Sequence, residues 1–153
     1  MVKAGKEKIM YKKILVPLDG SKLAEAALPH AEAIAKSEGA EIILLRVPLM
    51  PITEFFTREP ALAVKIHDEE QAEAIHYINM KAEDLKKAHI KVTAITQDGM
   101  VPETILAVAE ETHADMIAMS THGRTGLRRW LMGSVADRVV HHAHIPVMLI
   151  HPN

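Results

Sequence analysis

The sequence predicts an α/β fold: a single-domain, open five-stranded parallel sheet of order 3-2-1-4-5 with helices on both faces. Three observations carry this. Short apolar runs alternate with amphipathic stretches of helical period from Ile14 to Ile150, the pattern of repeated strand-helix units. The runs are apolar almost throughout, as strands are when helices cover both faces of a parallel sheet. No linker, internal repeat or low-complexity segment divides the 153 residues. A chain of that length closes one core, burying roughly 70% of the surface its unfolded form exposes. Residues 1–153 are therefore read as one domain, with 1–11 expected as a flexible N-terminus.

The elements follow in order. Ile14-Leu15-Val16-Pro17-Leu18 is the first strand, ended by the turn Asp19-Gly20-Ser21, whose serine caps a helix from Lys22. Pro29 is expected to kink that helix and Gly39 to stop it. Residues 41–47 make the second strand, and Pro48, Pro51 and Pro60 bracket a loop. A long amphipathic crossover helix runs from about Val64 to Ala88, with Ile75, Ile78, Ala82 and Leu85 at helical spacing. The third strand is 91–95. Pro102 opens the next helix from a first-turn position, and 115–119 is the fourth strand. Val135, Ala136, Val139, Val140 and Ala143 repeat along the fourth helix, and 145–150 is the fifth strand. Five strands alternating with four helices make a Rossmann-like, doubly wound sheet with right-handed crossovers.

Composition narrows the function. Eighteen basic and twenty acidic side chains leave a formal charge of -2, which gives no global field for a polyanion such as nucleic acid. Cysteine is absent, which removes thiol chemistry and zinc-thiolate sites and suits a reducing compartment. The N-terminus carries charges where a signal peptide needs an apolar core, and no run approaches membrane-span length. A cytoplasmic protein without membrane or nucleic-acid partners is expected.

Two strand-to-helix connections differ from the rest. One is Asp19-Gly20-Ser21; the other is the long stretch Ser120-Thr121-His122-Gly123-Arg124-Thr125-Gly126-Leu127-Arg128-Arg129-Trp130-Leu131-Met132-Gly133-Ser134. In the order 3-2-1-4-5 the first and fourth strands are neighbours, so both loops leave at the point where ligands bind in such sheets. Gly123, Gly126 and Gly133 allow close backbone approach, and Ser134 begins a helix whose free N–H groups attract anions. Ser134 and Asp137 have the spacing of a capping pair. Neither a Walker A motif nor a G-x-G-x-x-G is present. Either loop has a plain structural reading as a turn or a cap; together they suggest a phosphate cradle.

The chain resembles the universal stress protein family, of the ATP-binding kind. The family pattern of Gly, two residues, Gly, nine residues, then Gly and Ser or Thr falls on Ser120, Gly123, Gly133 and Ser134, with serine in the first glycine's place. The similarity extends from Lys13 to the last strand. It implies an adenine and ribose site near Pro17, Asp19 and Val47, with Gly20, Ser21, Met119, Ser120 and His122 around it. It places phosphates on Gly123, Arg124, Gly133, Ser134 and Val135. The implied ligand is ATP, ADP or AMP, with Mg2+ as an ion accompanying the phosphates. Homodimerisation through the last strand, Val147–Ile150, is also implied, and that strand would otherwise be an exposed apolar edge.

The resulting expectation is a nucleotide-binding stress-response or signalling module. The alternatives are a weak ATPase or autophosphorylating phosphotransferase, and a homodimeric interaction module without nucleotide. No dedicated catalytic base is identifiable, so binding is favoured over catalysis. Arg128 and Arg129 are read as solvated or partner-facing, and Trp130 and Met132 as packing or lid residues. His141, His142, His144 and His151 lack the spacing of a metal site. His122 is read as shaping the loop.

Overall fold

The computed structural model describes residues 8, 10–124 and 132–152. Its strands are β1 (Lys13–Leu18), β2 (Glu41–Arg46), β3 (Val92–Thr96), β4 (Met116–Ser120) and β5 (Val147–Ile150). They form one parallel sheet in the predicted order, β3-β2-β1-β4-β5. The helices are α1 (Lys22–Glu25), α2 (Leu28–Glu38), α3 (Thr53–Arg58), α4 (Pro60–Lys87), α5 (Val101–Glu111) and α6 (Ser134–His142).

Alternation of side chains along each strand divides the core into two layers. On one face Ile14 and Val16 of β1 and Ile42 and Leu44 of β2 meet Ala31 and Ala35 of α2 and Ile78, Ala82 and Leu85 of α4. On the other, Leu15, Ile43 and Leu45 meet Ile105 and Val108 of α5 and Ala136 and Val139 of α6. Burying one such aliphatic side chain stabilises by about 1.5–3 kcal/mol, against about 0–1 kcal/mol for an exposed ion pair. Apolar packing therefore dominates.

Several local expectations need correction. The helix after β1 is not kinked at Pro29 but divided before it, at Ala26 and Ala27, and Pro29 lies in the first turn of α2. A proline there removes no helical hydrogen bond, because first-turn N–H groups have no intrahelical acceptor. The described residues form six helices where four were expected, since α3 forms inside the proline-bracketed loop and α1 separates from α2. Ile75 does not join the α4 core face and is 45% exposed; Ala74, Ile78, Ala82 and Leu85 make that face. Val140 likewise points outward from α6, leaving Ala136 and Val139 as its buried residues. Ser21 does cap α1, accepting from the Ala24 amide at 3.1 Å, and Gly39 ends α2 at φ +68°.

Pro17 opens the sheet where a ligand could enter. The Lys13 carbonyl accepts from the Asp115 amide just ahead of β4, so by two-residue alternation Leu15 and Pro17 also turn their backbone groups toward β4. Proline has no N–H to extend the ladder. Accordingly β1 pairs with β4 at Ile14↔Met116 and Leu15↔Ile117, yet with β2 along its whole length. The carboxyl ends of β1 and β4 are left as the two lips of a crevice.

Candidate functional site

A cleft of about 220 Å³ lies beyond these strand ends. Among the expected site residues, Pro17, Asp19, Val47 and Met119 line it from the strand exits, and Ser120, His122, Gly123 and Arg124 from the loop after β4. Gly133, Ser134 and Val135 close it from the start of α6. Gly20 and Ser21 do not line it; their part is to shape the turn that carries Asp19. Gly126, Arg128, Arg129 and Trp130 lie outside the described residues.

Asp19 joins the two loops. Its Oδ1 accepts from the Ser21 amide at 2.9 Å and the Ser21 hydroxyl at 2.6 Å, and its Oδ2 accepts from the Arg124 amide at 2.6 Å. Burial pushes the carboxyl's pKa up. The hydrogen bonds from Ser21 and Arg124, with the Arg124 charge, outweigh burial and hold it below the ordinary value. A Cβ on Gly123 would collide with Asp19 Oδ2, so a larger residue there would push the carboxylate off the Arg124 amide. The turn carboxylate is thus the clasp of the cleft.

A second clasp was not legible in the sequence. Thr121, only 1% exposed, donates its amide to the Ile150 carbonyl at 2.9 Å, and its own carbonyl accepts from the Gly133 amide at 2.8 Å. Its hydroxyl lies 2.9 Å from His122 Nδ1 and 3.4 Å from His151 Nδ1. The loop's two ends are therefore pinned together at the edge of the sheet. A Cβ on Gly133 would lie 2.8 Å from the Thr121 carbonyl oxygen, so this close approach excludes any other residue.

Ser134 does not cap α6. Gly133, which has no side chain to bond the helix start, is the N-cap, while Ser134 is the first helical residue. The expected Ser134 and Asp137 capping pair fails because Gly133, held extended by its bond to Thr121, already occupies the cap position. Among the described residues none caps the first-turn amides, and the helix start, with the positive end of its dipole, lines the cleft, an arrangement suited to an anion. Ser120, in place of the family's glycine, ends β4 with its hydroxyl accepting from the His122 amide at 3.3 Å. It is not among the residues with positive φ, so its backbone does not need glycine.

Sequence reasoning also missed the apolar wall of Leu49, Val101, Ile105 and Ala136, and one cation, Arg46. An arginine closing the run Glu41-Ile42-Ile43-Leu44-Leu45 was the available signal. The site combines an apolar wall, a carboxylate clasp, two guanidinium groups and an open helix N-terminus. Such a set holds a molecule with a flat apolar part and an anionic tail.

Comparison with known proteins gives a consistent result. The model described as the universal stress protein family matches residues 10–151. Universal stress protein MJ0531 of Methanocaldococcus jannaschii is 36% identical over 145 residues, covering 92% of this chain and 82% of that protein. Universal stress protein MJ0577 of the same organism is 30% identical over 155 residues, covering 93% and 96%. The solved structure of MJ0577 superposes with a TM-score of 0.83 at 32% identity, over 95% of this chain and 99% of that one. At the level of fold alone, a family protein from Arabidopsis thaliana solved with AMP bound superposes at 0.62 and 20% identity, covering 93% and 92%. A universal stress protein in complex with cAMP does so at 0.61 and 19%, covering 95% and 100%.

Proposed function

Because the chain belongs to the universal stress protein family, we propose that it binds an adenine nucleotide, ATP first among them, and acts as a stress-response or signalling module. One observation carries the reading: Asp19, bonded to the Arg124 amide, lines one cleft with Gly123, Arg124, Gly133 and the start of α6. In this reading Val47, Met119 and the apolar wall take the base, and Asp19 faces the sugar. The Gly123, Arg124, Gly133, Ser134 and Val135 segment takes the phosphates. AMP and cAMP in two proteins of the same fold support the choice of adenine.

Among the described residues no group of three or more His, Cys, Asp or Glu could hold a metal ion, and both Asp19 oxygens already accept hydrogen bonds. Mg2+ would accordingly ride on phosphate oxygens and water, which suits that ion. No described helix is long and apolar enough to cross a membrane.

The first test is direct. With one Trp and two Tyr the protein absorbs weakly, so a co-purified adenine nucleotide raises absorbance at 260 nm. Denaturation is expected to release it for identification by chromatography. Protein that carries no nucleotide and takes up none when ATP is added would count against the proposal.

We also propose that β5 pairs with a second copy. It is an edge strand in which Pro146 O and Ile150 O bond inward to β4, so the N–H groups of Val147 and Leu149 face outward. Val147→Pro removes one outward donor at a strand's first residue, where proline is tolerated. Sedimentation is expected to show a wild-type dimer and a variant shifted toward monomer; two identical profiles would argue for another interface.

A further inference from the structure

Arg46 ends β2 at the cleft and is 1% exposed, first among the largest fully buried side chains. Sharing the face of Ile42 and Leu44, it turns toward α4. There its Nη2 lies 3.1 Å from Glu73 Oε2, and its guanidinium carbon stands 5.9 Å from the centroid of the Tyr77 ring. Its Nη1 donates to the Val47 carbonyl at 3.2 Å.

This accommodation is incomplete. Among the described residues, Arg46 Nε is buried with no hydrogen-bond partner. Glu73 is 51% exposed, so water screens the counter-charge it offers. A second cation stands close by: a Cβ built on Gly20 would be 3.4 Å from Arg46 Nη2 and 3.4 Å from Arg124 Nη2. Two guanidinium groups flank the same glycine, which at φ +87° has no side chain to part them. Asp19, the carboxylate beside that glycine, has both oxygens engaged by Ser21 and the Arg124 amide. With one guanidinium donor unsatisfied, and two guanidinium groups set against a screened Glu73 and an Asp19 whose oxygens are taken, further negative charge brought by a ligand is stabilising.

We infer that Arg46 is the charge-selecting residue of this cleft: its buried guanidinium, acting with that of Arg124, makes affinity rise with the number of phosphates on the ligand. The inference rests on the adenine-nucleotide reading above. Field from a buried cation falls off slowly in a poorly hydrated cleft, so Arg46 acts on ligand charge without having to touch every phosphate. Adenosine, which has the base and sugar alone, is indifferent to it. Glu73 works in the opposite sense by masking the cation.

The test is titration of adenosine, AMP and ATP into wild-type protein and the variants Arg46→Met, Arg46→Lys and Glu73→Gln. Arg46→Met is expected to weaken ATP by about 10-fold, AMP by less and adenosine by under about 2-fold, with Arg46→Lys recovering most of the ATP loss. Glu73→Gln, at an exposed carboxylate, is expected to tighten ATP by about 3-fold and leave adenosine unchanged. It decides the matter even if Arg46→Met fails to fold. Equal losses for adenosine and ATP would make Arg46 a structural prop. An ATP-to-adenosine ratio untouched in every folded variant would also overturn the inference while leaving nucleotide binding intact. Wild-type protein that binds none of the three would overturn both.

Discussion

Gly133→Val is expected to abolish measurable ATP binding, a loss of about 100-fold or more. The glycine lies where the loop closes on itself, and a Cβ there would come within 2.8 Å of the Thr121 carbonyl oxygen. A flexible side chain could turn aside from that contact; a main-chain carbonyl fixed by the Gly133 amide cannot. Relief requires the loop end to move away from β4, carrying with it the first turn of α6. Gly39→Ala is the matching control. Gly39 ends α2 at φ +68° with open space around its Cβ position, so alanine strains the backbone by about 1 kcal/mol far from the cleft. It should lower the melting temperature and leave ATP affinity unchanged. Equal binding losses in the two variants would mean that the first acts through stability alone.

Asp19→Ala is expected to weaken ATP by about 100-fold and to destabilise the fold by about 1–2 kcal/mol, the lower part of the range for hydrogen bonds to a charged, part-exposed group. It breaks the junction between the turn after β1 and the loop after β4, so Arg124 and Gly123 lose their anchor. The effect depends on pH in a definite sense. The folded carboxyl titrates below its ordinary 3.8, because the Ser21 and Arg124 bonds outweigh burial. Its stabilisation is therefore complete above that value and is lost as pH falls through the lower, folded pKa. Thermal melts of wild type and Asp19→Ala should differ at pH 7 and converge in stronger acid. A gap that persists unchanged into acid would mean that the carboxylate is not what holds the loops.

How much of this was readable beforehand depended on whether the signal was local. The strands were legible because their apolar runs are short and bounded by turn residues, and the order of the sheet placed both unusual loops at one crevice. Gly133 and Asp19 stood out for their chemistry. Arg46 and Thr121 did not, since their roles arise only when β2 lies against β1 and β5 against β4. An arginine closing an apolar strand is a signal that something is there to meet it but does not say what, and a threonine inside a loop carries no local mark at all. The break between α1 and α2 escaped for a related reason: Pro29 is compatible with either a kink or a first-turn position, and only packing chooses between them. Ser120 shows the converse: it stands where the family pattern has glycine, yet it ends a strand without the positive φ that would call for one.

Calorimetric titration of the wild-type protein with ATP, with GTP alongside, bears most directly on this account. One saturable ATP site per chain with a dissociation constant well below about 1 mM, and GTP weaker by about 10-fold or more, is the predicted result. No saturation by ATP up to about 1 mM would contradict it, whatever other ligand the cleft then proved to hold.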